Sequence, residues 1–509
     1  MKAPLALDRI ARQPQPRSHV LLALVVFGAS LLVIGVSLAR NRQLGTRYFA
    51  DEWFSLGVNL RVWSTLGVER EPTVLRPPGY PAFVAAVLLP LGVPQEDPSP
   101  RMFPWSSDLA GFTIPFDPRY LERAAFAVYC AQAVVLAASA ATLFLWLAGF
   151  LSVRSAFLAA LLYGTNPYIV ILAGVLSYAA VHLFCLVLSC FLLFRALAIT
   201  GRPRTAWLLL AGACFGVTAL VRPTTLILPP FLFGALLVKE RPSVGTALRS
   251  TLVFSFAMGL VLVPWTVRNY RLTQRLIPVS GQAWASVWAS TAVRLDRAPN
   301  YFRWKEVLPA VQPIYTSVTG KDHYDLETRA RSTPALEDAF RAEAFRNLRT
   351  QPGVYLHNAL ESLITQLVDI DSVRIKLFLY LQVLEPKHRG AWYRMGNPQD
   401  FFPSGSSREF TLLIRLLTAL SAVALVTAAV RGDSALLVPI LVSLALVVAH
   451  CLTWMDIGYY YAKVPFLFVF AFSILDRLLE RGRGGVVPGA ILLALVIALS
   501  VHLTVWVLF

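Results

Sequence analysis

An all-α polytopic membrane protein, with about eleven transmembrane helices and a mostly helical external cap, is the fold class this sequence predicts. Three observations carry that expectation. Hydrophobic residues fill 56% of 509 positions while only 15% are charged. Mean hydropathy is +0.60. Apolar runs near the ~20 residues needed to cross a bilayer recur along the chain, separated by short basic loops. Soluble globular domains of this length do not show that balance.

The first run, about 20–39, follows a basic N-terminus carrying Lys2, Arg9, Arg12 and Arg17. Ser37 and Ala39 before Arg40 would suit a signal-peptide cleavage site, but the run exceeds the ~7 to 15 residues of a signal h-region, so a retained helix is expected. Further spans are expected at about 122–150, 155–173, 176–196, 205–221, 224–238, 250–267, 410–430, 434–452, 463–479 and 486–508. With the N-terminus in the cytoplasm, Arg154, then Arg195, Arg202 and Arg204, then Lys239, Arg241 and Arg249, then Arg431, then Arg477, Arg481 and Arg483 all fall inside. The short basic loops thus obey the positive-inside rule, and the two long segments left outside, 40–121 and 268–409, are largely exempt from it.

This divides the chain into a seven-helix membrane module (1–267) with its first external loop at 40–121, an external segment (268–409) and a four-helix module (410–509). The apolar run Tyr80–Leu91 is about 12 residues, bracketed by Pro77, Pro78, Pro81, Pro90 and Pro94. It is too short to span and reads as a helix lying on the membrane. The external segment alternates helical patterns, such as 334–349 with Leu336, Phe340, Phe345 and Leu348 at helical spacing, with Pro/Gly turns. Its aromatics, among them Trp284, Trp288, Trp304, Tyr315 and Tyr355, suit a cap resting on the interface and packing a small core, or stacking on sugar rings.

Net charge is +17. Arginines of the outer segment, including Arg268, Arg271 and Arg275, lie near helix ends where anionic headgroups sit, which fits membrane lipids or a lipid-linked anionic substrate as partners. No basic, aromatic-rich soluble module stands apart, so nucleic acid is excluded as a partner. Cys130, Cys185, Cys190, Cys214 and Cys451 fall within expected spans without CxxC spacing, and the seven histidines form no HExxH pattern. Neither a disulfide framework nor a protein-built transition-metal site is expected. The glycine-rich run 481–485 lacks the Lys-Ser/Thr of a phosphate loop.

The residues most suggestive of chemistry follow the first span. Asp51 and Glu52 precede Arg76-Pro77-Pro78-Gly79-Tyr80-Pro81 by about 25 residues, placing an acidic pair and a cation at the mouth of a bundle. Further motifs sit at successive helix ends: Gly216-Val217-Thr218-Ala219-Leu220-Val221-Arg222-Pro223-Thr224, Pro264-Trp265-Thr266-Val267-Arg268-Asn269-Tyr270, and Tyr459-Tyr460-Tyr461-Ala462-Lys463-Val464-Pro465. Together, over positions 51–465, they resemble bacterial members of the dolichyl-phosphate-mannose protein mannosyltransferase-like family (glycosyltransferase family 39), within the GT-C superfamily of membrane glycosyltransferases.

The resemblance implies a GT-C arrangement, a donor whose sugar is linked through phosphate to a polyprenol, and transfer to a glycan, lipid or protein acceptor on the periplasmic side of a bacterial inner membrane. Two departures stand out. Many relatives begin the fourth helix with Ser/Thr-Glu, where this chain has Ser177-Tyr178, and Lys463 replaces a common arginine, exchanging a forked cation for a point charge.

On physical grounds Asp51 is either the general base that deprotonates the acceptor or a helix N-cap. Glu52 tunes that base, holds a divalent cation or caps the following helix. The leaving phosphodiester gains negative charge as it becomes a monoester, so cations near it stabilise the transition state. Arg76, Arg222, Arg268 and Lys463 are candidates for that task, or snorkelling anchors. Tyr80 and Tyr460 either donate to the phosphate or mark the interface. Two other classes explain part of the pattern: a lipid-linked-sugar transporter or flippase, against which no inverted repeat is visible, and a non-catalytic envelope assembly protein, which leaves Asp51-Glu52 without a task.

Overall fold

The computed structural model describes residues 17–43, 52–68, 70–94, 96–101, 114–199, 201–239, 243–294, 303–322, 326–368, 406–431, 434–453, 461–480 and 483–508. It is built almost wholly of helices. The two halves of the main bundle comprise α1 (Arg17–Gln43), α4 (Pro118–Leu147), α5 (Val153–Gly164), α6 (Pro167–Leu172), α7 (Ala179–Ala198), α8 (Arg202–Val221), α9 (Leu228–Lys239) and α10 (Val244–Thr273), then α16 (Ser406–Arg431), α17 (Leu437–Leu452), α18 (Val464–Glu480) and α19 (Arg483–Leu508). The first loop, between α1 and α4, supplies α2 (Glu52–Trp63) and α3 (Gly79–Val87), and the segment between α10 and α16, here called the cap, supplies α11 (Ala283–Ala292), α12 (Arg303–Thr319), α13 (Leu326–Arg331), α14 (Thr333–Thr350) and α15 (Pro352–Val368).

Each expected span coincides with a helix or a broken helix. Six, within α1, α4, α7, α8, α10 and α16, are long and apolar enough by themselves to cross a bilayer. Shorter apolar helices lie at 153–164, 223–238, 437–452 and 487–503. Apolar side chains such as Leu21, Leu24 and Leu32 on α1 and Leu252, Phe256 and Leu260 on α10 stand exposed, as lipid-facing surfaces require. The protein is an integral membrane protein.

The third expected span, 155–173, is in fact two helices. Pro167 lacks an N–H and forces Asn166 out of the helical region. Asn166 then caps α6 by accepting the Tyr168 N–H at 3.0 Å. Likewise Pro223 ends α8 at Arg222, whose backbone is extended (φ −152°, ψ 123°), and a 3₁₀ turn over Pro223–Ile227 leads into α9. At 30 residues, α10 is about 45 Å long at 1.5 Å per residue. Its last turns carry Trp265, Arg268 and Asn269.

One apolar core runs through the membrane helices of both halves. Trp146 of α4 meets Phe466 of α18 edge-on with ring centres 6.3 Å apart, and Tyr163 meets Phe468 at 6.0 Å. Asp476 of α18 accepts from the backbone N–H of Ser152 at 3.0 Å and from its hydroxyl at 2.5 Å, fixing the start of α5 to the C-terminal half. Gly212 lets α8 lie directly on α10, since a Cβ there would stand 2.2 Å from the Phe254 carbonyl oxygen.

The cap has its own core, in which Trp288, Val307, Val311, Tyr315, Leu336 and Phe340 are buried. The helix expected over 334–349 is α14. Trp288 and Tyr315 pack this core, and Tyr355 donates its hydroxyl to the Leu452 carbonyl at 3.2 Å, tying the cap to α17. Tyr301, Trp392 and Tyr393 lie outside the described residues, as does the side chain of Trp304.

Candidate active site between the first loop and the cap

The first loop is held in an extended path by the cap and by α10. Strands β1 (Gly67–Val68) and β2 (Glu71–Pro72) pair antiparallel, Gly67 opposite Pro72. Beyond them, Thr73 Oγ1 donates to the Ala330 carbonyl at 2.8 Å, and the Gly281 N–H donates to the Val74 carbonyl at 2.7 Å. Arg268 donates through Nη1 to the Thr73 carbonyl at 2.8 Å and through Nη2 to the Leu66 carbonyl at 3.1 Å. Its guanidinium lies 4.4 Å from the centre of the Trp265 ring, and Trp265 Nε1 donates to the Val279 carbonyl at 2.7 Å. The structure thus uses Arg268 as a bracket gripping the loop backbone.

That path delivers Arg76 to the start of α3. Arg76 donates to the side-chain oxygen of Gln282 in the cap and lies 5.3 Å from the centre of the Trp53 ring. Three residues on, Gly79 rests against the end of α8. A Cβ there would stand 2.7 Å from the Val221 nitrogen and 2.8 Å from the Leu220 carbonyl carbon, so only glycine permits this approach. The two motifs 76–81 and 216–224 are consequently packed against each other, with Arg76 just before the contact and Arg222 just after it.

Arg222 is 8% exposed. It donates to the Tyr178 hydroxyl and stands 5.1 Å from the centre of that ring. The Tyr178 ring in turn lies 4.8 Å from Trp53 and 6.2 Å from Tyr461. Tyr461 shares a 3.0 Å hydrogen bond with His182 Nδ1. Trp53, Tyr178 and Tyr461 therefore form an aromatic wall linking the first loop, α7 and the turn before α18, with two guanidinium groups on it. Lys463 donates to the Gln366 carbonyl at 3.3 Å. It lies near His450 of α17, which is also within electrostatic reach of Arg222 and His182.

Tyr80 is fully buried, and its hydroxyl donates to Gln132 Oε1 at 2.8 Å. Gln132 passes the network on to the Ala173 and Val175 carbonyls at 3.0 and 2.9 Å. The structure thus sets Tyr80 as a strut between α3 and α4. Asp51 and Tyr460 lie outside the described residues, as does the side chain of Glu52; α2 begins at Glu52. Sequence reasoning missed Tyr178, His182, His450 and Gln282. The only available signal was Tyr178 and His182 spaced four apart at the start of a helix, which places them on one face.

Chemically, the described part of this site is an array of hydrogen-bond donors and positive charges. Among the described residues no group of three or more His, Cys, Asp or Glu is positioned to hold a metal ion. Divalent hard cations require carboxylate or carbonyl oxygens, whereas Arg76, Arg222 and Lys463 suit an anion.

Residues 120–267 match the model of the dolichyl-phosphate-mannose-protein mannosyltransferase family. No curated protein matches the chain. Among solved structures, the Archaeoglobus fulgidus oligosaccharyltransferase in complex with Zn and sulfate is similar at a TM-score of 0.50 and 11% identity, over 94% of this chain and 52% of that one. Its apo form gives 0.50 and 12%, over 95% and 55%. This chain thus spans about half the length of that enzyme. ArnT from Cupriavidus metallidurans bound to undecaprenyl phosphate gives 0.35 and 13%, over 90% and 76%. The chain therefore shares the fold of that oligosaccharyltransferase over most of its length, and its residues 120–267 match the dolichyl-phosphate-mannose-protein mannosyltransferase family model.

Proposed function

We propose that the protein is a membrane glycosyltransferase that moves a sugar from a polyprenyl-phosphate donor to a glycolipid, polysaccharide or protein acceptor on the periplasmic face of a bacterial inner membrane. The observation that carries this reading is the convergence of Arg76 and Arg222 on the Trp53–Tyr178 wall, enforced by Gly79, at the N-terminal end of the helix that follows Asp51. The donor class follows from the family signature over residues 120–267.

In this mechanism Asp51 accepts the proton of the acceptor hydroxyl or amine as its heteroatom attacks the anomeric carbon. The bond from that carbon to the phosphate oxygen breaks, and the leaving phosphate goes from one negative charge towards two. Arg76, Arg222 and Lys463 face that growing charge and stabilise it more than the ground state, which is what lowers the barrier. Arg268 contributes by holding residues 66–73, and through them Arg76, in register. Should a divalent cation take part, Asp51 and Glu52 are the candidates to hold it.

The test is release of polyprenyl phosphate from a labelled polyprenyl-phosphate sugar by the purified protein. Asp51→Asn keeps size but removes the base. It is expected to lower turnover by the ~10² to 10⁴ that general-base catalysis supplies, with donor binding nearly unchanged. Wild-type turnover in that variant would leave Asp51 a helix cap. A transporter or flippase would move the donor without releasing polyprenyl phosphate.

A further inference from the structure

Beside Arg222, two elements packed on α17 hold polar atoms that the apolar bundle does not satisfy. α7 brings His182, fully buried; the 3₁₀ turn brings Thr224 and Thr225, the latter 2% exposed; both elements pack on α17. His182 Nε2 and the hydroxyls of Thr224 and Thr225 are buried without a hydrogen-bond partner among the described residues. Leaving such groups unpaired inside a membrane bundle is costly, so a ligand atom is the natural partner.

The chemistry of that ligand follows from the donors. Tyr461 Oη and His182 Nδ1 share a 3.0 Å hydrogen bond; in the tautomer in which the tyrosine hydroxyl is the donor, the His182 proton sits on Nε2, free to donate to a ligand. Arg222 and Lys463 are donors only, and the threonine hydroxyls are able to donate. A sugar hydroxyl needs acceptors as well as donors. A phosphate oxygen needs donors alone.

Resting on the function proposed above, we propose that His182, oriented by Tyr461, donates to the lipid-borne phosphate together with the Arg222-Pro223-Thr224-Thr225 turn. His182 and Tyr461 come from opposite halves of the chain, so the phosphate would be read where the two halves meet.

The experiment measures binding of undecaprenyl phosphate and of undecaprenol to the full-length protein in nanodiscs. Phosphatidic acid and inorganic phosphate serve as competitors. His182→Leu should weaken undecaprenyl phosphate by about 10- to 100-fold, as loss of a hydrogen bond to a charged group does, and leave undecaprenol unchanged. His182→Gln, whose amide nitrogen lies near the position of Nε2, should retain most of the affinity, and Tyr461→Phe should fall between. Neither competitor should displace the lipid at matched concentration.

Equal loss for phosphate and alcohol, or no loss for either, overturns the assignment and leaves His182 a packing residue. Displacement by inorganic phosphate or phosphatidic acid overturns it in favour of a general phosphate site. Wild-type protein that fails to prefer undecaprenyl phosphate over undecaprenol overturns the donor reading as well. A wild-type preference that survives His182→Leu overturns this inference alone.

Discussion

Gly79→Ala places a methyl group where the backbone of α8 already stands. The new Cβ would lie 2.7 Å from both the Val221 nitrogen and its Cγ2, against an ordinary contact distance of 3.4 Å or more. About 0.7 Å must therefore open between α3 and the end of α8, because helix backbone, unlike a side-chain tip, has no rotamer to escape into. Overpacking of this kind costs about 1–3 kcal/mol of stability. Arg76 and Arg222 flank the contact, so the same displacement separates the two cations. A misplacement near 1 Å costs about 10²-fold in rate, so turnover should fall roughly 10- to 100-fold. The assay is single-turnover release of polyprenyl phosphate from saturating labelled donor, with thermal melting of the same samples. Gly234→Ala is the control, since nothing lies within 4 Å of a Cβ there. If Gly79→Ala matched the control in rate and melting, the packing of the two motifs would not be what builds the site.

Lys463→Met should lower the single-turnover rate by about 10²-fold, while Lys463→Arg retains more because the charge survives; equal rates in both variants would make Lys463 an anchor. In the cap, Glu337 accepts the N–H groups of Trp284 and Ala285 at 2.8 and 3.2 Å, and burial holds its pKa above the ordinary 4.5 despite those bonds. Because the folded state binds this proton more tightly, cap stability should decline as pH rises from about 4.5 through the raised folded value; Glu337→Gln should flatten that slope in a pH series of melting temperatures. For topology, a cysteine at Ser317 should react with an impermeant maleimide in intact cells lacking Cys130, and one at Ser243 should not. The opposite pattern would invert the membrane orientation.

The helical membrane architecture was legible in the sequence because burial in lipid leaves a one-dimensional signature, apolar runs of the right length. The split at Asn166-Pro167 was also written there, in a capping residue before a proline, but it is overridden in any reading based on hydropathy alone. The site was only partly legible. Motif order pointed to Arg76, Arg222, Arg268 and Lys463, yet nothing local tells which backbone a guanidinium will grip, and Arg268 acquires its carbonyl partners from residues 195 and 202 positions away. Tyr80 likewise read as a phosphate donor or an interfacial marker because its buried partner, Gln132, is 52 residues distant. His182 was invisible as one of seven scattered histidines until folding set it beside Tyr461, 279 residues along the chain.

The grip on the first loop also bears on how the protein is made. Residues 66–76 are fastened by Arg268, Gly281, Gln282 and Ala330, partners that lie 195 to 257 positions further along the chain. Chain growth is sequential, and contacts of such separation form late. The loop must wait, unfastened, until those residues have been made. Positioning of Arg76 is thereby coupled to synthesis of the chain through Ala330, so chains that stall before that point lack the fastened loop.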